Sequence, residues 1–181
     1  MEKRCILDTR QLNITLSRLC QELIENYSNF EDTVILGMQP RGTLFASRIQ
    51  KRIKDLLDKE IALGQLDVTF YRDDFRRKSE PIKASSTEVP FLIENKHVIL
   101  VDDVLFTGRS VRAALDAMIA FGRPKSVELM ILINRKNSQE LPIKPDYIGR
   151  TVNTLNSQRV KVQWDEKDIK NKVWLIDLEE E

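Results

Sequence analysis

The chain has 181 residues, of which 41% are hydrophobic and 31% charged, and its formal net charge is +1. We expect a single domain over residues 1–181 with a substantial core, and a nearly neutral chain has no overall field that attracts nucleic acid or membranes. No apolar run reaches the roughly 20 residues of a membrane span, and Met1–Arg4 does not lead into a signal-peptide core, so a cytoplasmic protein is expected. Cys5 and Cys20 match no metal-ligand spacing and are expected to be reduced thiols.

The first third of the chain predicts a helix, a strand, a tight turn and a second helix. Apolar side chains at helical spacing indicate an amphipathic helix over Thr9–Asn26. Val34–Met38 has the continuous apolar pattern of a buried strand, and a helix is expected over Thr43–Leu57. Glycines bracket the connecting turn, whose backbone can approach an anion closely, and Arg41 adds a permanent positive charge there. Alternatively, this turn is an ordinary strand-to-helix connection.

The remaining elements continue the alternation of strands and helices. Leu66–Tyr71 is rich in β-branched and aromatic residues and predicts a strand. The polar segment 73–95 fits no regular element, so we expect a lid loop, with a disordered loop as the alternative. A helix over Gly108–Phe121, a strand over Val127–Ile133 and a small hood over about 134–165 follow the central strand. This order predicts the α/β class, with a doubly wound, mainly parallel central sheet flanked by helices and a small C-terminal hood.

The stretch HVILVDDVLFTGRSV, residues 97–111, carries the clearest chemical signal in the chain. Its apolar positions predict a central strand that is buried on both faces. Asp102 and Asp103 stand at the carboxyl end of that strand, where open α/β sheets bind their ligands. The TGRS run that follows offers a flexible glycine, two hydroxyls and the start of a helix, which together suit a phosphate group. An acid pair beside a phosphate cradle predicts a site for a sugar phosphate.

The same stretch resembles the phosphoribosyl pyrophosphate (PRPP) signature of type I phosphoribosyltransferases, which has four apolar residues, two acids and a Thr-Gly-Xaa-Ser/Thr loop. Three further segments, LDVTFYRDD, ELPIKPDYIGR and VQWDEKD, resemble in order and spacing the family of bifunctional pyrimidine-operon attenuation regulators and uracil phosphoribosyltransferases (PyrR). The likeness extends over nearly the whole chain. It implies the type I phosphoribosyltransferase fold and an enzyme that converts uracil and PRPP to UMP and pyrophosphate, with Mg²⁺ as cofactor.

The resemblance also implies roles for individual residues. Asp102 and Asp103, which with Arg41 are the implied catalytic residues, hold the ribose hydroxyls directly or through Mg²⁺; Asp73 and Asp74 are further candidate metal ligands. The 5-phosphate is expected on the loop formed by Leu105, Phe106, Thr107, Gly108, Arg109 and Ser110. The pyrophosphate is expected on Pro40, Arg41, Gly42 and Arg72. Loops of the latter kind can carry a cis peptide bond, which the resemblance predicts between Pro40 and Arg41.

Two alternatives to a uracil-specific enzyme stay open at this point. The same pocket can sense UMP or PRPP while the protein binds messenger RNA as an attenuation regulator, or the transferred base can be a purine. The base pocket is expected in the hood, roughly Asn134–Ile148, and the resemblance implies a homodimer or a larger homo-oligomer. No general base is evident, because His97, the single histidine, lies at the other end of the central strand.

Arg18, Lys144 and Arg150 are the candidate RNA-binding residues. Proteins of the PyrR type usually carry a His-Arg pair before the ELPI segment, whereas this chain has Ser138-Gln139. RNA affinity depends steeply on the number of phosphate contacts. The loss of two donors therefore predicts weaker RNA binding.

Overall fold

The computed structural model describes residues 3–73, 86–165 and 170–178 of the chain. Strands and helices alternate through the first two thirds of these residues, and the last third consists of strands. The helices are α1 (Thr9–Asn26), α2 (Arg41–Leu57) and α3 (Arg109–Met118). The strands are β1 (Lys3–Leu7), β2 (Thr33–Met38), β3 (Ala62–Leu66), β4 (His97–Leu105), β5 (Ser126–Lys136), β6 (Tyr147–Asn153), β7 (Gln158–Gln163) and β8 (Lys172–Asp177).

Five strands form a parallel sheet in the order β3-β2-β4-β5-β6. β4 takes the central place because it is apolar on both faces, and its residues from Val98 to Val101 are all buried. Gly37 of β2 lies opposite Val101, and Asn134 of β5 lies opposite Leu105. This register brings the carboxyl ends of β2, β4 and β5 to one edge of the sheet.

Helices cover both faces of this sheet. Leu16 of α1 and Phe45 of α2 pack in one core cluster with Ile35 of the sheet. Ala114 of α3 packs in a second cluster with Leu100, whose side chain points to the opposite face. The predicted doubly wound α/β fold with a mainly parallel central sheet is thereby confirmed.

A second, antiparallel sheet in the order β1-β8-β7 joins the two ends of the chain. Lys3 of β1 pairs with Ile176 of β8, and Val160 of β7 pairs with Leu175. β1 was not predicted, because its first residues are exposed and show no pattern of core-facing positions. The appended part of the fold is therefore built from both termini and not from the C-terminal region alone.

Two predicted elements need correction. The prediction of a strand over Leu66–Tyr71 is wrong, because β3 ends at Leu66 and a 3-10 helix spans Thr69–Tyr71. Asp67 stabilises this turn by accepting hydrogen bonds from the backbone N–H of Thr69 at 2.8 Å and from its hydroxyl at 2.5 Å. The predicted hood over 134–165 contains β6, but β6 extends the central sheet; only β7 belongs to the second sheet.

The flank of the predicted lid after residue 85 runs along the central sheet. The Gln39 side-chain amide donates to the carbonyl oxygen of Ser86 at 2.6 Å, and Gln65 forms an isolated antiparallel bridge with Glu88. Residues 74–85 of the predicted lid lie outside the described residues. No helix in the described part of the chain is long and apolar enough to cross a membrane.

Candidate active site

The carboxyl ends of β2, β4 and β5 border a cavity of about 340 Å³. This is the edge at which open α/β sheets bind their ligands. The cavity brings together the acid pair, residues from both predicted anion-binding loops and residues without a predicted role. Its lining consists of Gln39, Pro40, Arg41, Arg72, Asp102, Asp103, Val104, Phe106, Ser110, Arg135, Arg159 and Val160.

Asp102 and Asp103 form a close acid pair in the wall of this cavity. Asp103 is only 7% exposed, and its backbone N–H donates to Asp102 Oδ1 at 2.9 Å. Burial raises the pKa of both carboxyls, the charge of Asp103 raises the pKa of Asp102 further, and the Arg41 guanidinium opposes both increases. Asp103 Oδ2 is buried and has no hydrogen-bond partner within the described residues. Because an unpaired buried acceptor is costly, this oxygen is suited to a cation or a ligand hydroxyl.

α2 begins at Arg41, directly beside the acid pair. A Cβ built on Gly42 would lie 2.5 Å from the Val101 carbonyl oxygen and 3.2 Å from Asp102 Oδ1, so glycine is needed for this close approach. The helix N-terminus and the Arg41 guanidinium consequently place positive charge against two carboxylates. The predicted pyrophosphate loop and the acid pair thus form one continuous surface.

The loop between β2 and α2 is held by its neighbours. The backbone N–H of Gln39 donates to the carbonyl oxygen of Leu66 at 2.9 Å, which attaches the loop to the end of β3. The cis peptide bond of the loop joins Gln39 to Pro40, so the prediction of one between Pro40 and Arg41 is wrong. The cis form is far less costly before a proline than before any other residue, which is the physical reason for its placement.

The predicted 5-phosphate loop connects β4 to α3. Gly108 has a φ of +88°, a left-handed conformation that favours glycine, and α3 starts at the next residue. The carbonyl oxygen of Thr107 accepts a hydrogen bond of 3.0 Å from the backbone N–H of Glu140, which fixes the loop from outside. Leu105 is buried in the core, whereas Phe106 is 41% exposed and lines the cavity. The loop therefore presents a helix N-terminus and the Phe106 side chain to the cavity.

Two arginines link this loop to neighbouring segments. Arg72 Nη1 donates to the Ser110 hydroxyl at 2.7 Å. Arg109 forms ion pairs with Asp73 and with Glu140, the latter at 2.6 Å. The carboxylate of Asp73 is thereby directed to Arg109, and the structure does not bring it together with the acid pair. Asp74, the other candidate metal ligand, lies outside the described residues.

Arg135 lines the cavity although its sequence context predicted no role for it. It lies within the range predicted for the base pocket, at the carboxyl end of β5, and is only 5% exposed. Its guanidinium carbon lies 4.0 Å from the centroid of the Phe106 ring. Its Nε donates to the Thr154 hydroxyl at 2.8 Å, and its Nη2 donates to the Leu155 carbonyl oxygen at 3.1 Å. Its role in the cavity could have been predicted from its position directly after an apolar strand, because that strand ends at the same sheet edge.

Arg159 and Val160 reach the cavity from β7 of the second sheet. Arg159 is exposed, whereas Val160 is 4% exposed and belongs to the core. The alternating pattern of β7 predicts that these neighbours point in opposite directions. It does not predict which side of the molecule the strand occupies, because that depends on its pairing with β8.

The candidate RNA-binding residues gather around β6, and none of the three lines the cavity. Arg18 Nη2 donates to two carbonyl oxygens of β6, at 2.8 and 2.7 Å. Arg150 Nη1 donates to the carbonyl oxygen of Ile6 at 2.6 Å. Lys144 is exposed and lies just before β6. Both arginines therefore hold backbone segments together, and only Lys144 has no such contact among the described residues.

Comparison with known proteins identifies the relatives of this chain. A family model described as a phosphoribosyl transferase domain matches residues 4–167. The chain is 43% identical over 182 residues to the bifunctional protein PyrR of Caldicellulosiruptor bescii, with 100% of each chain covered. It is 40% identical over 168 residues to the bifunctional protein pyrR of Enterococcus faecalis, with 93% of each chain covered.

Solved structures share the fold at much lower sequence identity. A hypoxanthine phosphoribosyltransferase of Trypanosoma cruzi aligns with a TM-score of 0.71 at 12% identity, over 97% of each chain. One of Staphylococcus aureus aligns with a TM-score of 0.65 at 19% identity, over 82% of this chain and 77% of the other. At these identities the likeness shows the fold alone, which is that of the phosphoribosyltransferases.

Proposed function

Since the chain belongs to the PyrR family of type I phosphoribosyltransferases, we propose that its cavity binds uracil and PRPP and converts them to UMP and pyrophosphate. The observation that carries this proposal is the composition of the cavity. Two carboxylates and four arginines from distant parts of the sequence line one space. This excess of positive charge suits PRPP, whose phosphate groups are anionic.

In this proposal Asp102 and Asp103 hold the ribose hydroxyls and Mg²⁺. The unpartnered Asp103 Oδ2 supports it, because this buried oxygen accepts no hydrogen bond from the described residues. The described residues contain no group of three acidic, histidine or cysteine side chains that could hold a metal alone. A pair fits Mg²⁺, which commonly binds one or two carboxylates and takes its other ligands from substrate phosphates and water. When bound, Mg²⁺ supplies charge that neutralises the leaving pyrophosphate.

The two phosphate-bearing ends of PRPP are proposed to lie at two helix N-termini. The 5-phosphate lies on the loop before α3, and the pyrophosphate lies at the start of α2 beside Arg41. Helix N-termini favour anions because backbone N–H groups and the helix dipole both face the ligand. Arg72 contacts the Ser110 hydroxyl, which supports a position for its guanidinium between the two anionic groups.

The proposed chemistry relies on positioning and charge. Attack of the base N1 on the ribose C1 displaces pyrophosphate from the opposite face, and positive charge develops on the ribose ring. Ionised Asp102 and Asp103 stabilise that charge, while Arg41 stabilises the negative charge that develops on the pyrophosphate. The increase in the pKa of the acid pair that burial causes disfavours this ionised form, and Arg41 counteracts it.

The test is to measure pyrophosphate release from PRPP with uracil, hypoxanthine and guanine as separate acceptors. We expect Mg²⁺-dependent release with uracil, and a kcat about 10²- to 10³-fold lower in Asp103→Asn, because the variant loses a charge that acts in the transition state. Asp116→Asn neutralises an exposed carboxylate on α3 and should keep the wild-type kcat. No release with uracil refutes the proposal, and release with a purine alone establishes the purine alternative.

A second function, regulation through RNA, is favoured by relatives that are named bifunctional proteins. In this proposal the β6 surface (Arg18, Lys144 and Arg150) contacts RNA phosphates while UMP or PRPP occupies the cavity. The contacts of both arginines with backbone carbonyls support the weaker RNA binding predicted from Ser138-Gln139. A gel-shift assay with the pyrimidine-operon leader RNA, with and without UMP, tests this function. No shift at low salt refutes it.

The chain is also proposed to act as a homodimer or larger homo-oligomer. Leu115 on α3 and Ile119 just after it are 36% and 70% exposed, which supports an apolar surface for self-association. Sedimentation velocity over a range of protein concentrations tests this proposal. A monomer at every concentration refutes it.

A further inference from the structure

Arg135 is a buried cation that forms no ion pair within the described residues. It is 5% exposed, and the two hydrogen bonds of its guanidinium end on neutral oxygens, those of Thr154 and Leu155. No carboxylate forms an ion pair with it within residues 3–73, 86–165 and 170–178. Burial accordingly lowers the pKa of Arg135. Burying a charged group is costly unless it is paired, so such a residue is better explained by a ligand than by stability.

Arg135 lines the cavity, and part of its guanidinium is not used in hydrogen bonds. Arg135 lines the same space as Asp102 and Asp103, and its Nη1 has no hydrogen-bond partner among the described residues. The Phe106 ring, with its centroid 4.0 Å from the guanidinium carbon, holds the plane of the cation from one side. The planar guanidinium and the ring against it form a flat surface with an unused hydrogen-bond donor, which suits a planar molecule with acceptor oxygens.

The strand order places this surface opposite the proposed pyrophosphate loop. β4 carries the acid pair and lies between β2, which leads to Arg41, and β5, which ends near Arg135. In a displacement at the ribose C1, the attacking nitrogen and the leaving oxygen lie on opposite faces of that carbon. With pyrophosphate at the β2 side and ribose at the acid pair, the base must therefore approach from the β5 side.

We propose that Arg135 donates a hydrogen bond to a carbonyl oxygen of the uracil ring and thereby activates the base for transfer. This inference rests on the proposed function and adds a catalytic residue to it. The uracil N1–H proton leaves to water, and the N1 electron pair forms the bond to C1. The bond from C1 to oxygen breaks, and its electron pair leaves with pyrophosphate.

Arg135 supplies what the site otherwise lacks. Loss of the N1 proton places negative charge on the carbonyl oxygens of the ring, and a positioned cation stabilises that charge. The only histidine, His97, lies at the amino end of β4 and hydrogen-bonds Ser126 at 2.7 Å, so it is remote from this edge. Stabilising the anionic form of uracil replaces a general base.

The experiment compares uracil with 5-fluorouracil as acceptors for wild type, Arg135→Gln and Arg135→Lys. Fluorine withdraws electrons and makes the ring N–H more acidic, so the fluorinated base depends less on stabilisation by the protein. We expect Arg135→Gln to lower kcat/KM for uracil about 10²-fold, to lower it clearly less for 5-fluorouracil, and to leave the KM for PRPP within about threefold. Arg135→Lys keeps a charge and should recover part of the loss.

Controls separate this role from a structural one. Lys136→Gln removes an exposed positive charge from the end of the same strand and should behave as wild type. Thr154→Val removes the hydroxyl that orients Arg135 and leaves the guanidinium in place, so it should show a smaller loss with the same dependence on fluorination. If both Arg135 variants fail to fold, the dependence of Thr154→Val on fluorination tests whether Arg135 activates the base.

Two outcomes overturn the inference. One is an equal loss with both bases, which indicates a structural defect; the other is a raised KM for PRPP with unchanged use of uracil, which places Arg135 at a phosphate. The proposed function fails separately, through a wild-type protein that does not use uracil at all. Wild-type turnover of uracil with unaffected Arg135 and Thr154 variants refutes only this inference.

Discussion

The arginines of the cavity and those of the β6 surface show two uses of the same side chain. At β6, Arg18 and Arg150 donate to backbone carbonyls and join segments that are distant in the sequence. In the cavity, Arg41 acts electrostatically on the acid pair, and Arg135 has an Nη1 group without a hydrogen-bond partner among the described residues. Arg18 is exposed at the surface, yet its guanidinium is already engaged. Exposure alone therefore does not make an arginine available to a ligand.

The largest expected effect is that of Arg41→Gln in the cavity. This variant should lower kcat/KM by about 10²- to 10³-fold, because it removes the cation that is proposed to act on the leaving group. The melting temperature should change little, since the Arg41 side chain makes no hydrogen bond within the described residues. Steady-state kinetics and thermal unfolding check both parts, with Lys51→Gln on the exposed side of α2 as the control. A large fall in melting temperature at an unchanged rate would mean that Arg41, like Arg18, has a structural role.

The acid pair should make stability and activity respond to pH in opposite directions. Burial raises the pKa of Asp102 and Asp103 in the folded protein above the unfolded value of about 3.9. The stabilisation from protonated carboxyls is fully present below that value, and it is lost as the pH rises through the folded-state pKa. In the proposed mechanism activity requires the ionised pair, so it should rise over the same range.

Denaturant unfolding as a function of pH checks this prediction. In Asp102→Asn the decrease in the free energy of unfolding with rising pH should become smaller, because one of the two titrating groups is removed. Neutralising an exposed residue, as in Asp116→Asn, should leave the decrease unchanged. An identical pH dependence in all three proteins contradicts the assignment to the cavity.

Gly42→Ala should disturb the cavity through packing. The added methyl group would lie 2.5 Å from the Val101 carbonyl oxygen, so α2 must move away from β4. We expect a loss of about 1–3 kcal/mol in the free energy of unfolding, the usual cost of overpacking, together with a clear fall in kcat. Denaturant unfolding and kinetics check this result. Ala46→Gly weakens the same helix without adding a methyl group and serves as the control. It should lower kcat as much as Gly42→Ala only if helix stability alone controls the site.

At the β6 surface, Arg150→Gln should act on stability and not on catalysis. It removes a hydrogen bond of 2.6 Å to the Ile6 carbonyl oxygen, so the free energy of unfolding should fall by about 1 kcal/mol. The kcat with uracil should stay at the wild-type value. A tenfold loss of kcat without any loss of stability would break the distinction between the two groups of arginines.

The smallest expected effect is that of Lys144→Gln. Lys144 is exposed and should affect neither stability nor uracil turnover. If the β6 surface binds RNA, the slope of log affinity against log salt should decrease by about 1, as for the loss of one phosphate contact. Salt titrations of RNA binding check this value, and an unchanged slope removes Lys144 from the interface.

Local patterns in the sequence were sufficient for much of the fold. The stripe of α1, the buried pattern of β2 and the double-sided apolar run of β4 depend on residues close in sequence, and all three elements are present. The strand over Leu66–Tyr71 was predicted wrongly, because composition favoured a strand while the Asp67 side chain closes a turn. Local hydrogen bonding of one side chain outweighed the propensity of its neighbours.

The sequence by itself determined the family and the place of the acid pair at the end of β4, and it predicted two loops for anion binding, because each of these features is a short segment with its own chemistry. Only the tertiary structure decided that Arg135 and Arg159 line the same cavity, and that Arg18 and Arg150 contact backbone carbonyls instead. These contacts join strands and helices whose separation along the chain leaves no local pattern. The sequence does not show which groups an arginine side chain will contact, because its partners come together only when the sheets assemble.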